Sequence, residues 1–143
     1  GECLSIRQRT SRPFILDEII DGPAMLLRAH ADRAMDVVNF KLSKVGGITA
    51  ARQMRDCCDA MGIAMTIEDS GGSDIVTAAI AHLAHSTPEA FRFSSSDVNG
   101  YNTLSIADGG PQQRGGYIKA PTGAGLGVTP HLDVLGKAVL TIA

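Results

Sequence analysis

The sequence predicts an α/β fold built on parallel strands. Short apolar runs that end in charged or polar residues recur about every thirty residues, which is the spacing of βα units, and helical patterns stand between them. The 16 glycines and the absence of Trp suit tight turns between strands and helices. We expect the strands to end near Asp17, Lys41, Glu68 and Ser94. Four such units are half the number found in a (β/α)8 barrel.

Composition limits the class of protein. The 143 residues suffice for one domain with a real core, and a hydrophobic content of 44% with 20% charged residues is typical of a globular chain. A formal net charge of −2 gives no reason to expect nucleic acid or an anionic membrane as partner. No signal-peptide or membrane-span pattern is visible. The three cysteines show neither disulfide nor metal-knuckle spacing, which favours a reducing cytoplasm.

The first elements are a helix end and a short strand. Residues 4–8 resemble the end of a helix, and residues 14–18 form an apolar run that closes in two acids, Asp17 and Glu18. This is the pattern of a buried strand whose acidic end emerges at a rim. A helix is predicted from Pro23 to Arg33, since Pro suits the first turn of a helix.

The second strand ends in a lysine. Alternation predicts two faces for this strand: Val37, Asn39 and Lys41 on one, and Val38, Phe40 and Leu42 on the other. An all-apolar face suits a strand covered by helices, whereas a buried ammonium needs a partner. Gly46 and Gly47 allow a tight turn into a helix over residues 49–61, which we expect Thr49 to cap and Gly62 to stop.

The remaining units follow the same order. Residues 63–67 are predicted to be a strand that ends in Glu68 and Asp69, and Ser73 is expected to cap a helix over residues 74–85. A further short strand begins at residues 91–93.

After Gly100 the rhythm of strand and helix stops. We therefore divide the chain into barrel βα units over residues 1–100 and a C-terminal segment over residues 101–143. The turn residues at 108–111 predict a hairpin within that segment.

The strand ends carry the groups that could do chemistry. Because parallel strand ends meet at one rim, Asp17, Glu18, Glu68 and Asp69 should flank Lys41. Such a cluster can hold a hard divalent cation and lower the pKa of the lysine through charge and desolvation. The alternative is that Glu18 and Lys44 face solvent and the other groups form rim salt bridges. Both interpretations stay open on spacing alone.

The histidines and cysteines give no second site. His30, His82, His85 and His131 share no metal-ligand spacing, and the helical pair His82 and His85 is interpreted as structural. Cys57 and Cys58 lie in the middle of a predicted helix and are interpreted as packing residues.

Longer runs resemble a known family. NFKLSKVGGITAAR (39–52) is similar to the sixth strand and following helix of the mandelate racemase/muconate lactonizing enzyme group of the enolase superfamily, and PFILDE (13–18) resembles its fifth strand. A narrower resemblance, to cis-3-hydroxy-L-proline dehydratases, rests on residues 37–49, 62–88, 91–101 and 120–136.

The resemblance implies roles for individual residues. Asp17 corresponds to a ligand of Mg²⁺ and Lys41 to the acid/base of the sixth strand. Substrate contacts are implied for Glu68 and Asp69 at the end of the seventh strand, and for Asp97 and Asn99, which resemble an Asp-x-Asp pair that holds an amino group. Glu18 and Asn39 would support these groups.

The resemblance also implies the wider architecture and activity. The chain would be the C-terminal half of a (β/α)8 TIM-type barrel, about strands five to eight, plus a segment that packs against a lid domain. The lid, an opposed lysine and two further metal ligands would precede it. The implied reaction is Mg²⁺-dependent removal of the α-proton of a carboxylate substrate, with dehydration of cis-3-hydroxy-L-proline to a cyclic imine acid as first choice. A dipeptide or proline-betaine racemase or epimerase, or an inactive structural fragment, is the alternative.

The expected partners follow from the same resemblance. They are a small amino-acid-like carboxylate and either further copies of this chain or an N-terminal half; neither nucleic acid nor a membrane is expected, on the grounds of net charge and sequence pattern.

Overall fold

Four parallel strands, each followed along the chain by helical or irregular structure, form the centre of the molecule. The structure is a computed structural model and describes residues 2–141. The helices are α1 (Glu2–Arg7), α2 (Pro23–Ala31), α3 (Ile48–Met61), α4 (Asp74–His85) and α5 (Leu132–Leu135). The strands are β1 (Ile15–Leu16), β2 (Val37–Lys41), β3 (Ala64–Glu68), β4 (Arg92–Ser95), β5 (Ala107–Asp108) and β6 (Thr129–Pro130). The predicted strands and helices of the first hundred residues are confirmed, with β1 shorter than expected.

The main sheet has the order β1-β2-β3-β4, and all its pairs are parallel. In this register Lys41 lies beside Glu68, so the two polar strand ends are neighbours. The register slips between Met65 and Thr66, where β3 meets β4. Sequential strands that pair in parallel across intervening helices are the arrangement expected of βα units.

The core lies between this sheet and its helices. Val38, Phe40 and Leu42 form the predicted apolar face of β2 and are buried, as are Met54 and Cys58 of α3. Burial raises the pKa of the Cys58 thiol to about 12, which fits an inert packing residue. The same prediction for Cys57 is wrong because its side chain is exposed. Val37, Asn39 and Lys41, on the other face of β2, are buried too.

Two predicted helix caps are wrong in detail. The turn before α3 needs positive φ at Gly46 and Gly47, so a glycine occupies the N-cap position and Thr49 lies inside the helix. Ser73 does stand at the N-cap of α4, but its hydroxyl makes no capping hydrogen bond. The predicted stop of α3 is confirmed, since Gly62 adopts the left-handed conformation there.

The C-terminal segment returns to the sheet region through a buried acid. Asp74, in the first turn of α4, accepts hydrogen bonds of 2.9 Å each from the backbone N–H of Ile106 and the hydroxyl of Ser105. Burial alone would raise the pKa of Asp74, but these hydrogen bonds outweigh it and hold the pKa below its usual value. Gly110 packs so closely on the Asp74 side chain that a Cβ there would overlap it.

The predicted hairpin at residues 108–111 is wrong. β5 pairs antiparallel with β6, so that Asp108 lies beside Thr129 across an intervening segment of about twenty residues. His131 supports this pairing, because its Nε2 lies 3.1 Å from Asp108 Oδ1 and its backbone N–H donates to the carbonyl of Ile106. The glycines of residues 108–111 therefore lie at the start of the long segment that connects β5 to β6.

Among residues 2–141, no helix is both long and apolar enough to cross a bilayer.

His82, interpreted as structural, connects α4 to the C-terminal segment. Its Nε2 lies 3.1 Å from the carbonyl oxygen of Leu126.

Candidate active site

Lys41 lies at the carboxyl end of β2, with its side chain among three carboxylates. Its Nζ lies 3.1 Å from Asp17 Oδ1 and 3.9 Å from Glu68 Oε1, and it donates a hydrogen bond to Glu18 Oε1. Only 7% of Lys41 is exposed. The parallel register and the acidic residues that follow β1 produce this arrangement, so the structure brings together the lysine and three of the four acids predicted to flank it.

The carboxylates change the acidity of the lysine in the direction opposite to our expectation. The hydrogen bond to Glu18 raises the pKa of Lys41, burial opposes this effect, and Asp17 adds to it. The two lysines Lys41 and Lys44 in turn lower the pKa of Glu18. The expected lowering of the Lys41 pKa is wrong for this arrangement, because opposite charges at hydrogen-bond distance favour the ammonium form more strongly than burial disfavours it.

Glu68 is fixed from both sides by neighbouring strands. Asn39 on β2 donates from Nδ2 to Glu68 Oε1 at 2.5 Å, and Ser96, just after β4, donates from Oγ to Glu68 Oε2 at 2.8 Å. Asn39 was expected to support the site, and the structure places it against Glu68. The contact of Ser96 was not predicted, although its place at the end of the fourth strand could have suggested it.

Asp69 turns away from this cluster to the loop that follows β2. Its Oδ2 accepts from the backbone N–H of Ser43 at 2.9 Å, and its Oδ1 accepts from the N–H of Ser70 at 2.7 Å and from the Ser43 hydroxyl. In this structure Asp69 fixes the turn beyond Lys41. Its substrate contact stays a prediction.

Asp97 caps the short 3-10 turn at Val98–Tyr101 that follows β4, and Asn99 lies within that turn. Asp97 Oδ1 accepts from the backbone N–H of Asn99 at 2.9 Å. The Asn99 amide donates to the carbonyl of Pro111 at 3.0 Å and accepts from the Thr77 hydroxyl at 3.2 Å. These bonds join the turn to α4 and to the C-terminal segment, and among the described residues none of them reaches Lys41. The proposed role in holding a substrate amino group stays a prediction.

Glu18 and Lys44 form an ion pair at the rim, where both residues are also exposed to solvent. Lys44 Nζ lies 3.3 Å from Glu18 Oε2 and also donates to the backbone carbonyl of Glu18. The Glu18 side chain is 77% exposed and that of Lys44 28%. Sequence reasoning placed both residues at the rim but not in contact.

Asp17 has the features of a cation ligand. Its Oδ1 is buried and makes no hydrogen bond, because the Lys41 ammonium lies within ion-pair distance but donates to Oδ2 instead, at 3.3 Å. A buried carboxylate oxygen without a hydrogen bond needs a positive charge nearby, which the Lys41 ammonium supplies at 3.1 Å; the oxygen keeps lone pairs for a metal ion, and carboxylate oxygens are the ligands that Mg²⁺ prefers. Over residues 2–141 there is no group of three or more His, Cys, Asp or Glu side chains placed to hold a metal ion. Asp17 therefore fits Mg²⁺ as a single contributed ligand.

Sequence comparison finds relatives among enzymes of one superfamily. The chain is 57% identical over 138 residues to cis-3-hydroxy-L-proline dehydratase of Roseibium aggregatum, covering 96% of this chain and 38% of that protein. It is 32% identical over 140 residues to N-succinylamino acid racemase of an Amycolatopsis species, covering 92% of this chain and 36% of the racemase. The chain thus spans well under half the length of these relatives.

Structure comparison agrees. A mandelate racemase/muconate lactonizing enzyme from Roseovarius nubinhibens matches with a TM-score of 0.91 at 40% identity, over 97% of this chain and 38% of that one. A member of the enolase superfamily from the same organism, complexed with magnesium, matches with a TM-score of 0.90 at 36% identity, also over 97% and 38%. These matches confirm the predicted fold class and the predicted resemblance.

The match to a family model covers nearly the whole chain. The model described as "Enolase C-terminal domain-like" aligns with residues 2–134. This span contains β2, its terminal Lys41, and the acids that follow β1 and β3. The chain belongs to the enolase C-terminal domain-like family, in the mandelate racemase/muconate lactonizing enzyme group of the enolase superfamily.

Proposed function

We propose that this chain supplies one proton-transfer group of an enzyme that removes the α-proton of a small amino-acid-like carboxylate. The observation that carries the proposal is the position of Lys41 Nζ, buried at a strand end and 3.1 Å from Asp17. A lysine amine beside a carboxylate that can hold a cation is a suitable pair for chemistry next to a substrate carboxylate.

The residues of this chain would have separate roles on one face of the substrate. Lys41 holds a proton at Nζ as an ammonium; once that proton has passed to solvent, the neutral amine can accept the α-proton, whose C–H electron pair moves toward the substrate carboxylate. Bound Mg²⁺, with Asp17 as a ligand, would supply positive charge for that carboxylate. Glu18 and Glu68 hold the Lys41 ammonium in place, and Asn39 and Ser96 hold Glu68.

The proposed overall reaction is dehydration of cis-3-hydroxy-L-proline. Loss of the α-proton is followed by cleavage of the β C–O bond, the hydroxyl leaves as water after gaining a proton, and the resulting enamine becomes a cyclic imine acid. The 57% identity to a dehydratase named for this substrate supports the assignment.

Incubating the complete gene product with cis-3-hydroxy-L-proline and Mg²⁺ tests the assignment. We expect a product lighter by one water, seen by mass spectrometry, and no product from L-proline, which lacks the β-hydroxyl. Unchanged substrate in D₂O, with no deuterium at the α-carbon, would contradict the assignment.

A racemase or epimerase acting on a dipeptide or a proline betaine is the second candidate. The 32% identity to N-succinylamino acid racemase supports this class of reaction, because racemisation shares the first proton transfer and differs in its outcome. The test is incubation of a dipeptide or a proline betaine in D₂O. Deuterium at the substrate α-carbon, with inversion there and without loss of water, would select the racemase or epimerase.

The 143 residues taken alone are proposed to be an inactive structural unit, since Asp17 is a single carboxylate ligand. Titration of this polypeptide with Mg²⁺ should show weak binding. Tight stoichiometric binding would overturn this part of the proposal. A cytoplasmic location and assembly with further copies of the chain or with an N-terminal half belong to the same proposal.

A further inference from the structure

Glu18 lies between two lysines and contacts each with a different oxygen. Oε1 accepts from Lys41 Nζ, and Oε2 lies 3.3 Å from Lys44 Nζ. Lys44 also donates to the backbone carbonyl of Glu18. Lys44 therefore contacts both the main chain and the carboxylate of the residue that pairs with Lys41.

Glu18 could not hold this position by itself. Its side chain is 77% exposed, whereas that of Lys41 is 9% exposed. An exposed carboxylate in a single ion pair is weakly held, because water competes for it and its rotamers remain free. Two contacts from Lys44, one of them to the main chain, restrict Glu18 to the orientation in which Oε1 meets the buried ammonium.

Lys44 is suited to this role because its own backbone is fixed. It lies in the tight turn that follows β2, where the N–H of Val45 donates to the carbonyl of Lys41 at 3.1 Å and the N–H of Gly47 donates to the carbonyl of Leu42 at 2.7 Å. Asp69 holds the preceding residue, Ser43, from the end of β3. The turn therefore connects the position of the Lys44 side chain rigidly to the strand that carries Lys41.

We propose that Lys44 is a positioning residue for Lys41, which it places by orienting the Glu18 carboxylate against Lys41 Nζ. This inference rests on the proposed proton-transfer role of Lys41. It assigns Lys44 no contact with substrate, so its removal should affect the rate of proton transfer and not the binding of substrate. Misplacement of a reacting group by a small distance is enough to slow a reaction strongly.

The test compares Lys44→Met, Lys44→Arg and the control Lys137→Met in the complete gene product. Lys137 is exposed and has no ion pair among the described residues, so the control removes the same charge from elsewhere on the chain. With cis-3-hydroxy-L-proline as substrate, we expect Lys44→Met to lower kcat by about 10- to 100-fold while KM changes by less than about threefold. Lys44→Arg should recover most of the rate, and Lys137→Met should behave as wild type.

A crystal structure of Lys44→Met provides a readout that does not depend on activity. Glu18 should leave hydrogen-bond distance of Lys41 Nζ in the variant. Wild-type kcat in Lys44→Met, a rise in KM that accounts for the whole loss, or an unmoved Glu18 would each overturn the proposal. If Lys44→Met does not fold, Lys44→Gln replaces it under the same criteria.

Failure of the proposed function is a separate outcome. An inactive wild type contradicts the function, while the crystal structure still decides whether Lys44 orients Glu18.

Discussion

Lys41 Nζ and Asp17 Oδ1 lie 3.1 Å apart, although the two residues are separated by a whole helix in sequence. The parallel pairing of β1 with β2 accounts for this, since the carboxyl ends of neighbouring parallel strands share one edge of the sheet. An acid that follows one strand and a base that ends the next thus meet without any special loop. Under the proposed function, Lys41 would therefore stand beside the substrate α-carbon while a cation held by Asp17 would face the neighbouring carboxylate.

Replacing Lys41 by Arg tests the role of Lys41 as a base without removing the positive charge that its carboxylate neighbours need. Arginine keeps a positive charge among the carboxylates, but it does not release its proton in proteins, so it cannot act as a base. We expect Lys41→Arg to remain folded and to lose exchange of the substrate α-proton with D₂O by at least about 100-fold. NMR of the substrate measures the exchange, and circular dichroism checks the fold. Exchange at the wild-type rate would remove Lys41 from the mechanism.

The buried Asp74 should make part of the stability depend on pH. Its pKa is lower in the folded protein than in the unfolded chain, so its contribution is present above the unfolded value of about 4 and is lost as pH falls through the folded value. Asp74→Asn should lower the free energy of unfolding at pH 7 by about 1–3 kcal/mol. The difference from wild type should shrink below pH 4, as measured by urea unfolding. The exposed Asp59→Asn serves as control, and an equal loss in that variant would contradict the assignment.

The contact between Gly110 and Asp74 leaves no room for a side chain. Gly110→Ala should destabilise the protein by about 1–3 kcal/mol, because its Cβ would displace the carboxylate that holds Ser105 and Ile106. Gly100→Ala is the matched control, since a Cβ at Gly100 meets nothing within 4 Å. Thermal unfolding of the two variants gives the comparison. Equal melting temperatures would show that residues 105–110 move away without cost.

His131 should titrate above its ordinary range. The hydrogen bond to Asp108 raises the pKa of His131, burial opposes this effect, and the charge of Asp108 adds to it. The pair therefore stabilises the β5–β6 contact below the ordinary pKa of histidine, about 6.5, and this contribution is lost as pH rises through the raised pKa. In Asp108→Asn, the NMR titration of the His131 ring should shift to lower pH. A midpoint unchanged from wild type would contradict the pairing.

Local patterns were sufficient to predict the elements and the centre of the site. The alternation around Phe40 and the glycine that stops α3 depend on near neighbours, and both predictions are confirmed. That Lys41 and Glu68 are neighbours followed from the general geometry of parallel strands. Glycine at positive φ, not the hydroxyl of Thr49, begins α3, because the tight turn after β2 needs that backbone conformation.

Contacts between distant parts of the chain were not predictable in the same way. Asp74 meets Ser105 and Ile106, which lie 31 and 32 residues further along. Lys44 meets Glu18 across 26 residues, and β5 finds its partner only at Thr129 and Pro130. No period or motif in a single sequence records which loops pack together, so these pairings emerge only from the three-dimensional arrangement.

The register of β2 determines the positions of both the site residues and the core residues of this strand. Side chains alternate along a strand, so inserting or deleting one residue between Val37 and Lys41 would exchange the face that carries Asn39 and Lys41 with the face that carries Phe40. Such a change would turn Asn39 or Lys41 toward the helices in place of Phe40. It would also remove the Lys41 ammonium from its carboxylates. A one-residue length change in this strand would therefore disturb the core and the site together, unless a β-bulge absorbed the extra residue.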